Sequence, residues 1–280
     1  MKKIVCILTI AVSAMAISQP VPAEERDRTE FPWERASLTF GYFLTNFSSD
    51  VRLTKEKGVG AIVNIEELLG LDDTTHQFRL QAMGRPWRKH RFYFSYYDLS
   101  RDARRVLDAD IPELELEAGI EVETAFDLKI YKVSYSYSFF QDNRLDLHGG
   151  IGFHIMDIGV GLKAKVTGGG DTFADAYAQD TTLPLPVLGL GADVAITPKL
   201  FLKQSIDFFY ITLSGFEGLL LDANVALEYN LFKYFGLGVG FNLLRLDISG
   251  EGGDAFLGGG WNGDLKFNYS GIQIYGKLYF

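Results

Sequence analysis

The chain of 280 residues is almost without cysteine; Cys6, close to its start, is the single one. Beyond that position there is no thiol, so disulfide bracing and thiol catalysis are excluded for nearly the whole chain. Long apolar runs are also lacking. After the first two dozen residues no stretch approaches 18 uncharged apolar positions. The longest uncharged stretch there, Thr181 to Ala192, carries two prolines. Helical membrane spans are thereby excluded. Basic charge is in deficit, with 27 Lys and Arg against 36 Asp and Glu, a net charge of −9. A nucleic-acid partner calls for a basic stripe, and none is present. Neither a Gly-x-Ser-x-Gly elbow nor a His-Glu-x-x-His zinc motif occurs, which removes two frequent hydrolase designs. Gly168–Asp171 and Gly258–Gly260 precede no helical pattern, so they read as loops rather than phosphate cradles. No cofactor and no metal is expected.

What is present begins with Met1-Lys2-Lys3 and an apolar run from Ile4 to Ile17, broken by Thr9 and Ser13. Val21-Pro22-Ala23 supplies small residues where a signal peptidase cuts, so residues 1–23 read as a signal peptide. Loss of Lys2 and Lys3 with it takes the net charge from −9 to −11. Residues 24–35 form a polar arm, expected on the periplasmic side, and residues 36–280 one domain. Glycine is abundant, at 30 residues, and aromatics make up 14%. A glycine- and aromatic-rich, helix-poor, exported chain suits a membrane β-barrel.

Period-two alternation supports that class. Ten runs stand out: Ala36 to Leu44, His76 to Arg85, His90 to Arg101, Phe126 to Phe140 and Arg144 to Val166, then Leu185 to Thr197, Leu200 to Leu213, Leu219 to Phe232, Gly236 to Ile248 and Asp264 to Phe280. Connections at 86–89, 141–143, 198–199 and 233–235 are short. Those at 102–117, 167–184 and 251–263 are long. Short and long alternate, as short periplasmic turns and long extracellular loops do in outer-membrane barrels. The expected fold is therefore all-β: a transmembrane, antiparallel, up-and-down β-barrel of ten strands. Phe47 to Thr75 leaves a choice open. It holds two further runs, which form either an extracellular hairpin, a segment in the lumen, or two more strands for a total of twelve.

In the last run Ile272, Ile274, Gly276, Leu278 and Phe280 share one side, and Gln273, Tyr275, Lys277 and Tyr279 the other. A terminal Phe in this register resembles the assembly signal of outer-membrane barrels, with Tyr275, Leu278 and Phe280 read by the barrel assembly machinery. Trp33, Trp87, Tyr131, Tyr135, Tyr137 and Phe139 are assigned to interfacial girdles. His90-Arg91-Phe92-Tyr93-Phe94-Ser95-Tyr96-Tyr97, with Glu67-Leu68-Leu69-Gly70-Leu71-Asp72 upstream, resembles an uncharacterised family of proteobacterial outer-membrane β-barrel (porin-like) proteins. The resemblance covers nearly all of residues 24–280. It implies fold and outer-membrane location, and brings no activity or functional residue.

Alternation sends Arg79, Arg91, Lys132, Asp146, His148, His154, Asp193, Lys203, Asp207, Glu228 and Lys277 into the lumen. Both signs occur there, so the charges are expected to pair and largely plug a bore that ten strands make only slightly wider than a filled one. The expectation is a non-enzymatic outer-membrane protein, either structural or a narrow porin-like channel for small solutes. The alternatives are an enzyme acting on lipid A or peptides with His154 at the extracellular rim, and a surface ligand-binding barrel. Outer-membrane lipids and lipopolysaccharide are the expected partners, the latter through Arg101, Arg104 and Arg105 unless these lie in a solvated loop. Glu66, Glu67, Asp72 and Asp73 make either a calcium-binding or an acidic surface loop; their spacing matches no EF-hand.

Overall fold

The computed structural model describes residues 32–53, 61–64, 66, 71–72, 74–108, 110, 116–165, 173–213, 216–250 and 263–280. The leader, residues 24–31 of the polar arm, Glu67, Asp73 and the stretches 168–171 and 258–260 lie outside them. The described chain runs through β1 (Ala36–Leu53), β2 (Ala61–Asn64), β3 (Thr74–Trp87), β4 (His90–Asp98), β5 (Arg101–Val106) and β6 (Glu121–Gln141). It continues through β7 (Leu145–Lys165), β8 (Phe173–Ala195), β9 (Leu200–Leu213), β10 (Phe216–Asn230), β11 (Phe235–Gly250) and β12 (Gly263–Tyr279).

Strands adjacent in the sheet pair antiparallel throughout, and β12 returns to β1 in register from Ser37↔Tyr279 to Val51↔Leu265, which closes the sheet on itself. Closure leaves no full-length edge whose N–H and C=O groups would be stranded in hydrocarbon. Twelve segments make ten staves. β5 extends β4 in one register along β6, from Asp98↔Lys129 to Arg101↔Phe126. Between them Asp98 accepts from the Ser100 N–H at 2.9 Å, a local side-chain turn that interrupts the strand. β2 pairs only with the far end of β1. Within the Phe47–Thr75 stretch the described residues of β2 therefore prolong the first strand as a paired extension, so ten staves hold rather than twelve.

Several boundaries differ from the sequence expectation, among them the starts of β6 and β8. β8 begins at Phe173 and so runs through Leu183 and Pro184, where a loop was expected, before entering the expected run at Leu185. Its pairing with β7 continues through both Pro184 and Pro186. β6 and β7 each extend over 21 residues, well past a membrane, because the hairpin they form carries on above it.

The wall reverses polarity along its length. At the end bearing the short turns, Val133, Ile151, Phe153, Val239, Phe241, Ile272 and Ile274 point outward and are exposed, while Lys132, His154, Asn242, Gln273 and Lys277 point inward. A strand tilted by about 45° carries the apolar run Leu145–Ile155 across roughly 25 Å, the height of a lipid-facing band. Toward the long loops the same strands place Phe126, Leu128, Ile130, Met156, Ile158, Leu244, Leu246 and Phe267 inside, in one apolar cluster. Their outward positions become Asp127, Lys129, Asp157, Arg245, Asp247, Lys266 and Asn268. The barrel is thus inside-out where lipid surrounds it and conventionally packed where water does.

Candidate functional site

The site is the polar lumen enclosed in the lipid-spanning part. Every residue assigned to the lumen from sequence lies on the inward face, and they gather in three layers. Nearest the short turns, Arg85 and Arg91 share Asp146 at 2.9 and 2.6 Å, and Arg91 also meets Asp193 at 2.8 Å. Beside them Lys277 lies between Glu34, at 3.0 Å, and Glu228. Lys203 bonds the same two carboxylates, Glu228 at 2.9 Å, and the Tyr275 hydroxyl donates to Glu228 at 2.9 Å. In the third layer Lys132 pairs with Asp222, whose other oxygen accepts from Asn242 at 2.8 Å. Asn242 accepts in turn from Arg79 at 3.3 Å and from Tyr269 at 2.7 Å. Opposite charges taken out of bulk water must compensate one another, and this chain of pairs is how they do so.

Sequence reading missed Glu34, Arg85 and Asp222. Glu34 belongs to the arm preceding β1, which was expected outside the barrel. Instead residues 32–35, the described part of the arm, tuck inward. Trp33 is buried against Phe201 and Ala195, and its indole N–H donates to the Asp142 carbonyl at 2.7 Å. Trp33 is therefore a plug residue and not a girdle residue; Trp87, 63% exposed, keeps the girdle position. Burial opposes ionisation of the Glu34 carboxyl, yet the Lys203 and Lys277 ammonium groups overcome it and hold its pKa down to about 2. Asp222 shares parity with Asn224 and Glu228 within the run Leu219 to Phe232, so alternation alone sends it inward; it stands where that face passes from apolar Leu220 to polar Asn224.

His154 also departs from expectation. Its Nε2 lies 3.2 Å from Asp207 and its Nδ1 4.0 Å from Asp222. The ring is 2% exposed, beneath the apolar cluster and not at the rim. His148 sits in the layer nearer the turns, with Gly191 opposite. Arg101 turns inward as well. It pairs with Glu66 at 2.9 Å and donates to the Asp72 carbonyl at 2.8 Å. Arg104 and Arg105 pair with Glu123 and Asp108. Of the three arginines, Arg101 is thus buried while Arg104 and Arg105 keep side chains at least partly exposed, and no cluster of metal-ligating side chains occurs among the described residues.

Between the layers lies a cavity of about 140 Å³, lined by Arg79, Lys132, His154, Asp207, Asp222, Asn224 and Glu228 among others. That is room for several waters with polar partners on every side. Trp33 and Glu34 line it toward the turns, and the apolar cluster lies beyond it toward the loops.

Apolar band, aqueous interior, closed antiparallel wall and alternating turn lengths define the outer-membrane type of β-barrel. Among solved structures the chain overlays the outer membrane protease OmpT from Escherichia coli with a TM-score of 0.51, at 9% identity, covering 92% of this chain and 99% of that one. Looser overlays include Ail, the attachment invasion locus protein of Yersinia pestis (TM-score 0.33, 11% identity, 87% and 96% covered), and the Pseudomonas putida toluene transporter TodX (0.35, 8%, 88% and 90%). No protein-family model and no curated protein matches the sequence.

Proposed function

We propose that the chain is a non-enzymatic outer-membrane protein: a structural barrel whose lumen is closed to solutes at rest. The short-turn end would face the periplasm, and the polar-surfaced extension of β5–β8 would stand above the outer leaflet. Outer-membrane lipid is its surroundings in this reading, and the barrel assembly machinery reads Tyr275, Leu278 and Phe280 on the last strand. One observation carries the proposal: the polar lumen is stopped at both ends, by Trp33 and Glu34 below and by the apolar cluster above.

Planar-bilayer recording on refolded protein is the test. A closed barrel gives no discrete steps; regular steps at neutral pH would replace the structural reading with the narrow-channel one. The enzymatic reading has one observation in its favour, His154 between Asp207 and Asp222. Its burial argues against access by any lipid or peptide substrate. Lipid A mass spectra should be unchanged by expression of the chain or of His154→Ala.

A further inference from the structure

The ladder between β8 and β9 stops at Leu188↔Phe208, although β9 continues to Leu213 and β8 reaches back to Phe173. Continuing that register would set Pro186 against Tyr210 and Pro184 against Thr212. Both prolines stay paired with β7, opposite Phe153 and Ile155, so the N–H groups they lack are those that β9 would have used. Proline within a sheet is confined to edges for this reason, and β8 is an edge at this height although it stands mid-wall. A second unladdered junction exists among the described residues, between β3 and β5. There Arg101 bridges the gap with bonds to the Asp72 carbonyl and Ser49. No comparable polar bridge is described at the β8–β9 gap.

What flanks the gap is apolar on both sides. Inward lie Leu185, Val187 and Phe209, members of the apolar cluster in the upper barrel. Outward lie Leu188 and Tyr210, 66% and 62% exposed on the lipid-facing band. Hydrocarbon and protein core are therefore separated here by side-chain packing alone. Lipid tails are as apolar as leucine, so exchanging side-chain contacts for acyl-chain contacts changes little transfer energy and breaks no backbone bond.

We propose that the β8–β9 gap is a lateral portal through which an acyl chain of a surrounding membrane lipid inserts into the apolar interior of the barrel. The chain parts the side chains of Leu185 and Phe209 and leaves its headgroup at the rim, near Thr212 and Thr182.

The test uses full-length protein in phosphatidylcholine vesicles doped with a phosphatidylcholine carrying a diazirine on its acyl chain. After illumination, labelled residues are mapped by peptide mass spectrometry. Labelling of inward Leu185 alongside outward Leu190 is expected; Leu190 labelled with Leu185 untouched would overturn the proposal. Because residues 24–280 hold no cysteine, Val187→Cys with Phe209→Cys can latch the gap by a disulfide. Oxidation should cut labelling of Leu185 at least fivefold, and reduction of the same sample should restore it. Equal labelling of oxidised and reduced protein would overturn the portal even if the interior is reached. Pro184→Val with Pro186→Val, which restores both donors, should lower Leu185 labelling without a latch, and unchanged labelling there counts against the role given to the prolines.

Discussion

Asp146 shows what a single side chain does in this lumen. Fully buried, it balances both Arg85 and Arg91. Asp146→Ala leaves two guanidinium groups around one remaining carboxylate, Asp193, and a broken buried pair costs about 3–5 kcal/mol. Arg104→Ala removes an exposed pair with Glu123 and should change stability by less than about 1 kcal/mol. Urea unfolding in vesicles measures both. Gly150 acts through close approach: a Cβ there would stand 2.0 Å from the Tyr135 carbonyl oxygen and 2.6 Å from the Ser136 Cα. Both are main-chain atoms of β6, which cannot give way without breaking the ladder, so Gly150→Val should prevent the heat-sensitive folded band from forming on gels. Glu34 supplies the pH dependence. Its pKa is lowered from an ordinary 4.5 to about 2, so the stability it contributes is fully present above pH 4.5. That stability is lost as pH falls through 2. Protease cleavage within the arm should accordingly rise on acidification from pH 4.5 toward 2, and Glu34→Gln should give the high-cleavage behaviour already at pH 7.

At the scale of a strand, β6 states the design of the wall. Its even positions run Val122, Thr124, Phe126, Leu128, Ile130 and then Lys132, Ser134, Ser136; its odd positions run Glu123, Ala125, Asp127, Lys129 and then Tyr131, Val133, Tyr135. From Val122 to Ser136 parity does not slip, yet the character of each face exchanges between Ile130 and Tyr131. Alternation therefore disclosed strand direction, lumen-facing residues and the ten staves, because those depend on parity alone. It did not disclose the apolar cluster: the run Phe126 to Phe140 spans the exchange, but only the polar half of its inward face, from Lys132 on, was read as interior. Nor did it disclose the start of β8, since the stretch up to Pro184 reads as loop; the unbroken pairing with β7 accommodates both Pro184 and Pro186. The exchange itself is testable. Val133→Arg puts a charge on the lipid face and should cost about 2–4 kcal/mol near mid-bilayer. Asp127→Arg, six residues along the same face but above the band, should fall within about 0.5 kcal/mol. Equal costs would mean that the band does not end where the faces exchange.

For the molecule as a whole, the decisive property is two closures in series with different physics. The lower one is ionic and carried by a segment outside the barrel wall, Trp33 and Glu34 against Phe201, Lys203 and Lys277. The upper one is apolar and made by the wall itself, with Phe126 stacked on Phe267 at 5.6 Å. Water-filled passage requires both to fail, because hydrated ions do not cross a dry aromatic layer and a docked arm blocks the other mouth. Trp33→Ala with Glu34→Gln should therefore give no conductance steps, and neither should Phe126→Ala with Phe267→Ala. The second pair costs about 3–5 kcal/mol per ring removed, so its folding is checked first by the shift between heated and unheated bands. Only the fourfold variant should produce steps in a planar bilayer. Steps from the arm variant alone would mean that the upper layer is permeable and that the arm by itself controls the bore.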